Sequence, residues 1–353
     1  MRRLWMLVVL LGWGFGALCA QQRYVVVDQD GGGPGGSDQQ SILLLLQAQG
    51  VKVLGVTMVS GDVSAEEGVR HTMRMLEMVG RTDVPVVMGS GVPLIRTPEE
   101  TALQERLYGS VSYTGAYGKK RLEDGALVEG EPKTKVIAGE DAAHFLIAAV
   151  RRYPHQVTVF SGGPMTNIAL AIRLDPGFAA MARELVFMGG SLNPKTDDPE
   201  FAFNPRHEFN FWFDPEAAHI VLTAPWKKIT GTTIDASIQA VLPAQVQAEV
   251  KGATTPVAVY MNKYEATSPY LWDELAALAW IEPRMVRAEK RVYMDVDINH
   301  GHSYGDTLTW SEAVKPALPL QMVDVNMEVD AAQFQAEYLK LMTTPAVVGE
   351  RGK

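Results

Sequence analysis

The sequence predicts an α/β fold: a single domain built on an open, mostly parallel sheet with helices on both faces. Three observations lead there. Short β-forming runs alternate with helix-length apolar patterns along most of the chain. The first strand ends in an unbroken Val25-Val26-Val27, as strands covered on both faces do. Glycines and carboxylates recur just after strand ends, the edge where open parallel sheets bind ligands.

In order, Tyr24–Val27 reads as a strand, and Gln39–Gln49 as a helix apolar on most sides and therefore buried. Lys52–Val59 reads as a strand, Ala65–Val79 as a helix with apolar residues at helical spacing, and Val84–Met88 as a strand. The pattern returns with helix Glu140–Tyr153, strand Gln156–Ser161, helix Thr166–Leu174, strand Glu184–Met188, helix Pro215–Thr223 and strand Trp226–Thr230. The polar, Gly- and Tyr-rich segment from Thr97 to Lys135 reads as an insertion or lid, and Asn193–His207 as a second long loop; long loops in compact domains are often functional. There is no fixed-period repeat, low-complexity tract or evident domain boundary.

The chain has 353 residues, 47% hydrophobic and 21% charged, which is a globular composition with a sizeable core. Arg2 and Arg3, the apolar stretch Leu4–Leu18 and the small residues near Ala20 have the layout of a secretory signal peptide over residues 1–20, cleaved after Ala20. The apolar stretch is 15 residues long, short of the roughly 20 that span a bilayer. Gly16-Ala17-Leu18-Cys19 is a weak lipobox look-alike, since Leu18 stands where a small residue is wanted. The expectation is a secreted or periplasmic protein without a membrane anchor after cleavage, with its domain over 23–335 and a C-terminal tail over 336–353. Cys19 is the only cysteine, so a mature chain has no disulfide, thiol nucleophile or cysteine-held metal. Formal charge is −9, and −11 once Arg2 and Arg3 are lost. An acidic chain without a basic run is poorly suited to a nucleic-acid backbone and better suited to small neutral or cationic ligands.

The stretch "VVVDQDGGGPGGSDQQSILLLL" places Asp28, Asp30 and Asp38 around a glycine-rich turn at a strand end. Three such carboxylates repel one another unless a cation lies between them. All-oxygen ligands select a hard ion, calcium or magnesium, and calcium tolerates irregular geometry and backbone carbonyls. The plainer reading is an Asx-turn with Ser37 or Asp38 capping the helix from Gln39. Phosphate binding is rejected: the glycines fit neither GxxxxGK[ST] nor GxGxxG with its acid partner, and three acids repel a phosphate.

Five further blocks follow in order: "VTMVSGDVSAEEGVRHTMRMLEMVGRTDVPVVMGSGVPL" (56–94), "SGGPMTNIALAIRLDP" (161–176), "LVFMGGSL" (185–192), "EFNFWFDPEAAHIVL" (208–222) and "WDELAALAWIEP" (272–283). With Asp28-Gln29-Asp30 and Ser37-Asp38, they resemble the inosine/uridine-preferring nucleoside hydrolases from Tyr24 to about Pro283. The resemblance implies a calcium ion held by Asp30, Asp38, Asp273 and the Gly162 carbonyl, which binds the ribose 2′- and 3′-hydroxyls and a water. It implies Asp30 as the base that takes that water's proton. Ribose contacts fall on Glu208, Asn210 and Met188, with Asp28 supporting from behind. The implied substrate is a nucleoside or a relative such as nicotinamide riboside, and the implied assembly a homo-oligomer. Plainer readings remain beside these. Met188 also suits a core, Asn167 reads as a helix cap, and Glu208 and Asn210 flank Phe209 in a strand-like alternation that aims both at one side.

The chain also departs from the family pattern. Ser37 replaces the first acid of an Asp-Asp pair, and the turn is about three residues longer. Asp62 stands where the family has a ribose-binding Asn, so one carboxylate is lost at Ser37 and one gained at Asp62. Trp272 occupies the position of the leaving-group histidine; it can stack on a base but is a poor proton donor. Ala202 falls at another sugar-site Asn, with Asn204 nearby. Tyr113, Tyr117, Tyr260 and Tyr264 are candidates for the missing acid, though each also reads as an ordinary tyrosine. His300 and His302 at i, i+2 read as a solvated edge rather than a metal site. The expected function is a calcium-dependent hydrolase of ribonucleosides or related N-ribosides. The alternatives are a non-catalytic or differently specific sugar-binding protein on the same fold and, with less support, a phosphoesterase using paired metals.

Overall fold

The computed structural model describes residues 22–111, 113–118, 126–136, 139–202, 207–264 and 270–345. The leader expected at 1–20 and Asn204 lie outside the described residues.

Among the described residues, nine strands form one sheet: β1 (Arg23–Gln29), β2 (Val51–Met58), β3 (Val86–Met88), β4 (Val157–Ser161), β5 (Glu184–Met188), β6 (Ile229–Thr232), β7 (Val286–Val296), β8 (Thr307–Trp310) and β9 (Gln321–Val329). Their order is β3-β2-β1-β4-β5-β6-β9-β7-β8. Pairing is parallel from β3 through β9, and β7 runs antiparallel to both β9 and β8. The expected α/β class and mostly parallel sheet are therefore present.

Period-two alternation explains why the strands read as continuous apolar runs. Val25 and Val27 enter one core layer and Val26 the opposite one. Val186 and Met188 of β5 pack into the first layer, Leu185 and Phe187 into the second. A parallel sheet clothed on both faces needs apolar residues at successive positions. The helix predicted at 39–49 spans Ser37–Gln47, and every residue from Asp38 to Gln47 is buried. It lies against helix Asp273–Ile281, which is buried from Asp273 through Trp280. Leu44 is fully buried in that layer. Leu44→Ala is expected to lower unfolding free energy by about 2–5 kcal/mol, measured by urea titration; a loss below about 1 kcal/mol would contradict tight packing of this face.

Two differences from the sequence reading have clear causes. The strand expected at Trp226–Thr230 begins at Ile229, because Trp226 packs edge-on to Phe178 and its indole donates to the Val221 carbonyl. The last third carries the weakest local signals. β7 opens with the charged run "VRAEKR", exposed at several positions, which hides its strand character. Helix Ala331–Thr343 runs across the expected start of the tail at 336, burying Phe334, Tyr338, Leu341 and Met342. Its Tyr338 hydroxyl donates to Gln40 Oε1 at 2.6 Å, tying it to the first helix.

Candidate active site

The carboxyl ends of β2, β1, β4 and β5 lie side by side because these strands are parallel neighbours. Beyond them opens a cavity of about 510 Å³ lined by Asp30, Ser37, Asp38, Asp62, Gly162, Met188, Glu208, Asn210, Trp272 and Asp273, among others. Nearly all the described residues that the sequence singled out are therefore together, although Asp273 is 243 positions from Asp30 along the chain. Asp28 sits behind them.

The glycine turn shapes the floor. Helix Ser37–Gln47 is entered from Gly36 with no side-chain cap, so neither Ser37 nor Asp38 caps it. Asp38 instead accepts from the Gly32 backbone N–H. Asp30 is enclosed by glycines that could not be otherwise: a Cβ at Gly61 would lie 2.1 Å from Asp30 Oδ2, and one at Gly163 2.9 Å from Asp30 Cγ. The Asp62 N–H donates to Asp30 Oδ2 at 2.8 Å.

Asp30, Asp38 and Asp62 each offer an oxygen within 4.8 Å of the others. Asp62, expected at the sugar, thus joins two of the expected ion ligands. Asp273 hydrogen-bonds Asp38 and accepts from Gln29 Nε2 at 2.9 Å. Burial, then repulsion from Asp38 and Asp62, pushes Asp30 well above the usual carboxylate range. Burial, then Asp62 and Asp273, does the same to Asp38; for Asp273 the causes are burial, then Asp30 and Glu274. Burial raises Asp62 to about 6. No lysine or arginine lines the cavity among the described residues. Crowded, buried, oxygen-only donors without a counter-charge suit a hard divalent cation.

The wall opposite comes from the segment after the long loop. Phe209–Phe213 is a helix, not the expected strand. Glu208 caps it, accepting from the N–H groups of Asn210 (2.9 Å) and Phe211 (3.1 Å), and also from Gly190 (2.8 Å). The two polar side chains share a side because one is the cap and the other lies in the first turn. Asn210 Nδ2 donates to the carbonyls of Gly162 and Met188, both at 3.1 Å. Met188 is buried as well as cavity-lining, so its core and site readings coincide. Burial raises Glu208 to about 7.

Several residues behave differently from expectation. Asn167 caps nothing: it accepts from Ser90 N–H and donates to Asp28 Oδ1 and the Met58 carbonyl, joining three strand ends. Asp28 also accepts from Thr57 Oγ1 at 2.5 Å, and burial raises it to about 7. Ser37 donates to Glu274 and accepts from the Asp273 N–H at 3.0 Å, so the acid missing at 37 has a buried neighbour in Glu274. Glu274 carries no distinguishing sequence signal, because an acid beside Asp273 reads as an ordinary first-turn residue. Of the candidate tyrosines, Tyr113 alone lines the cavity, where it hydrogen-bonds Asp62 and packs edge-on to Phe209. Tyr117 donates to the Arg96 carbonyl and Tyr260 accepts from Gly35 N–H. His300 and His302 lie in the β7–β8 turn; His300 Nδ1 is 2.5 Å from Glu100. Asp198, Glu200, Phe201, His207, Phe209, Ile234 and Tyr270 line the cavity without having been singled out. The flagged loop 193–207 was the available signal for the first four. Burial, then the charge of Arg96, holds His207 down at about 4 and hence neutral at pH 7.

Solved structures share this architecture. A plant nucleoside hydrolase superposes with TM-score 0.71 at 23% identity, covering 92% of this chain and 100% of that one. A purine-preferring ribonucleoside hydrolase from Gardnerella vaginalis gives 0.70 at 23%, covering 91% and 98%. In sequence, the inosine-uridine preferring nucleoside hydrolase of Leishmania major is 28% identical over 294 residues, 79% of this chain and 86% of that one. Uridine nucleosidase 1 of Arabidopsis thaliana is 33% identical over 180 residues, 50% of this chain and only 47% of that relative. The family model for inosine-uridine preferring nucleoside hydrolases matches residues 25–336, nearly the whole described domain. A match of that extent, over a site whose acids converge at the strand ends, means that the chain belongs to the inosine-uridine preferring nucleoside hydrolase family, a family of N-ribosyl hydrolases.

Proposed function

We propose that the protein is a calcium-dependent hydrolase of the N-glycosidic bond of ribonucleosides or related N-ribosides, releasing base and ribose. The observation that carries this reading is the carboxylate cluster, buried Asp30 and Asp38 with half-buried Asp62 within 4.8 Å, facing Glu208 and Asn210 across one cavity. Asp30, Asp38, Asp273 and the Gly162 carbonyl would hold the ion, with Asp62 beside them. When bound, calcium supplies the missing positive charge, oxygen coordination for a ribose diol and a lowered pKa for an adjacent water.

The chain's own groups do the rest. Asp30 accepts the proton of the attacking water. Glu208 and Asn210 orient the sugar, their geometry fixed by bonds to Gly190, Phe211, Gly162 and Met188. The C1′–N bond lengthens ahead of attack, so positive charge builds on the ribose ring, where the surrounding carboxylates stabilise it. Trp272 offers a ring face to the base. Export by a leader at residues 1–20 and assembly into a homo-oligomer are proposed from the sequence alone; among the described residues no helix is long and apolar enough to cross a membrane.

A sugar-binding protein without turnover is favoured by one observation: Ser37 and Trp272 stand where a carboxylate and a proton donor are expected. Mature protein with calcium is expected to release free ribose from at least one member of a nucleoside panel, read as reducing sugar. Tight calcium binding with no release from any member would establish the binding-protein reading instead.

A further inference from the structure

Glu274 lies in the first turn of helix Asp273–Ile281, is 2% exposed and stands behind the cavity wall rather than in it. Helix capping accounts for part of its geometry. Trp272 enters the helix without a side-chain cap, and Glu274 Oε2 reaches back to accept from the Trp272 N–H at 3.1 Å. An acid at the surface would serve that purpose. Burying a carboxylate costs free energy unless its oxygens are well bonded, and this one also repels Asp273. A second contact gives the burial a reason. Ser37, 237 positions earlier, donates its hydroxyl proton to the same Glu274 oxygen. The Ser37 Oγ in turn accepts from the Asp273 N–H at 3.0 Å.

A serine hydroxyl has one proton and two lone pairs. Here the proton is committed to Glu274 and one lone pair to Asp273. What Ser37 offers to the cavity that it lines is therefore a single acceptor. A group hydrogen-bonded to it there has to be a donor. Hydrogen bonds in a chain polarise one another, so a hydroxyl whose own proton lies on a carboxylate is the better acceptor. Ser37 thus hands on part of the negative character of an acid one hydrogen bond away.

We propose that Glu274 is a positioning residue that works through Ser37: it holds the serine as an acceptor for one hydroxyl of the ribose diol. It does from a second helix what a carboxylate at position 37 would do directly; this rests on the N-riboside hydrolase reading above. Glu274 touches neither sugar nor base and makes or breaks no covalent bond. The hydroxyl that donates to Ser37 gains electron density on its oxygen. That density opposes the positive charge building on the ribose ring, so the contact strengthens as the C1′–N bond lengthens.

The test uses calcium-loaded mature protein with inosine, 2′-deoxyinosine and 3′-deoxyinosine. The readout is kcat/KM, or the inhibition constant against inosine cleavage for a deoxy analogue that is not turned over. Glu274→Gln keeps the side-chain shape and an oxygen for Ser37 and the Trp272 N–H, so it removes charge alone. It should lower kcat/KM for inosine by about tenfold or more, the worth of a hydrogen bond to a charged group. For the analogue lacking the hydroxyl that faces Ser37, the loss should be less than about threefold. A displaced helix or a lost ion would instead weaken all three alike. Ser37→Asp alone sets two buried carboxylates in contact and should cost about tenfold or more. Combined with Glu274→Gln it should return to within about threefold of wild type, because the acid then stands at 37 beside an amide N–H. Should that double variant not fold, by its thermal midpoint, Ser37→Ala decides: beside it, Glu274→Gln should change inosine turnover by less than about twofold. Equal losses on all three substrates, no loss on inosine, or an undiminished effect beside Ser37→Ala makes Glu274 a helix cap only; the proposal is then overturned and the hydrolase reading stands. No cleavage of any N-riboside by folded wild-type protein removes both.

Discussion

Asp30→Asn is expected to lower kcat by at least about a thousandfold with the fold unchanged. General-base catalysis contributes about 10²–10⁴-fold, and the amide also removes one negative oxygen from the cluster that would hold the ion. Asparagine is the suitable replacement because it is isosteric. Its carbonyl can still accept from the Asp62 N–H, which bonds Asp30 Oδ2 at 2.8 Å, and it adds no volume beside Gly61 and Gly163. The assay is ribose release at saturating nucleoside and calcium, with circular dichroism as the check on folding. Retention of more than a tenth of the wild-type kcat would show that another group takes the proton.

Removal of divalent cations is expected to abolish turnover and to make stability fall as pH rises from about 5 to 7.5. Two unit charges 4 Å apart repel by about 4 kcal/mol at an effective dielectric of 20. Several buried acids in that arrangement cannot all ionise without a counter-charge. In the folded chain Asp62 titrates at about 6 and Glu208 and Asp28 at about 7; unfolded acids titrate at about 4. Below pH 4 both states are protonated and the difference vanishes. Between pH 4 and 7 the folded chain keeps protons that the unfolded chain has released, so raising pH favours unfolding. Calcium reverses the sign by stabilising the ionised forms. Thermal midpoints after chelation should therefore decline across that range, and added calcium should flatten or invert the slope while restoring ribose release. A chelated protein whose midpoint is constant or rising from pH 5 to 7.5 would contradict the acid cluster as the ion site.

The fold was legible wherever local sequence carried the whole signal. Val25–Val27, Val159–Phe160 and Leu185–Met188 are apolar at successive positions because the sheet is covered on both faces, and Asp30 and Asp62 follow strand ends within four residues. Reading failed where the cause was tertiary. Glu208 and Asn210 flank Phe209 in a strand-like alternation, but Phe209–Phe213 is a helix with Glu208 as its cap. Phe201 and Tyr270 meet across 69 positions of chain, so no window contains both. Ser37 looked like a lost carboxylate until Glu274, 237 positions away, was found against it. Asn167 resembled a cap because its long-range partners, Asp28 and Ser90, lie on other strand ends.

The pairings of Gln29 with Asp273 and of Ser37 with Glu274 also bear on how the molecule comes into being. Synthesis runs from the amino terminus, so Asp30, Asp38 and Asp62 leave the ribosome long before the helix that carries Asp273. During that interval the early acids have mutual repulsion and no partner helix. A chain stopped before residue 273 lacks the surface that buries Ser37–Gln47 as well as a carboxylate, and no amino-terminal fragment can be a small working enzyme. Contacts this distant in sequence close late and slowly. Hydrolytic competence is thus a report on the finished chain, and its appearance during refolding should lag behind the secondary structure.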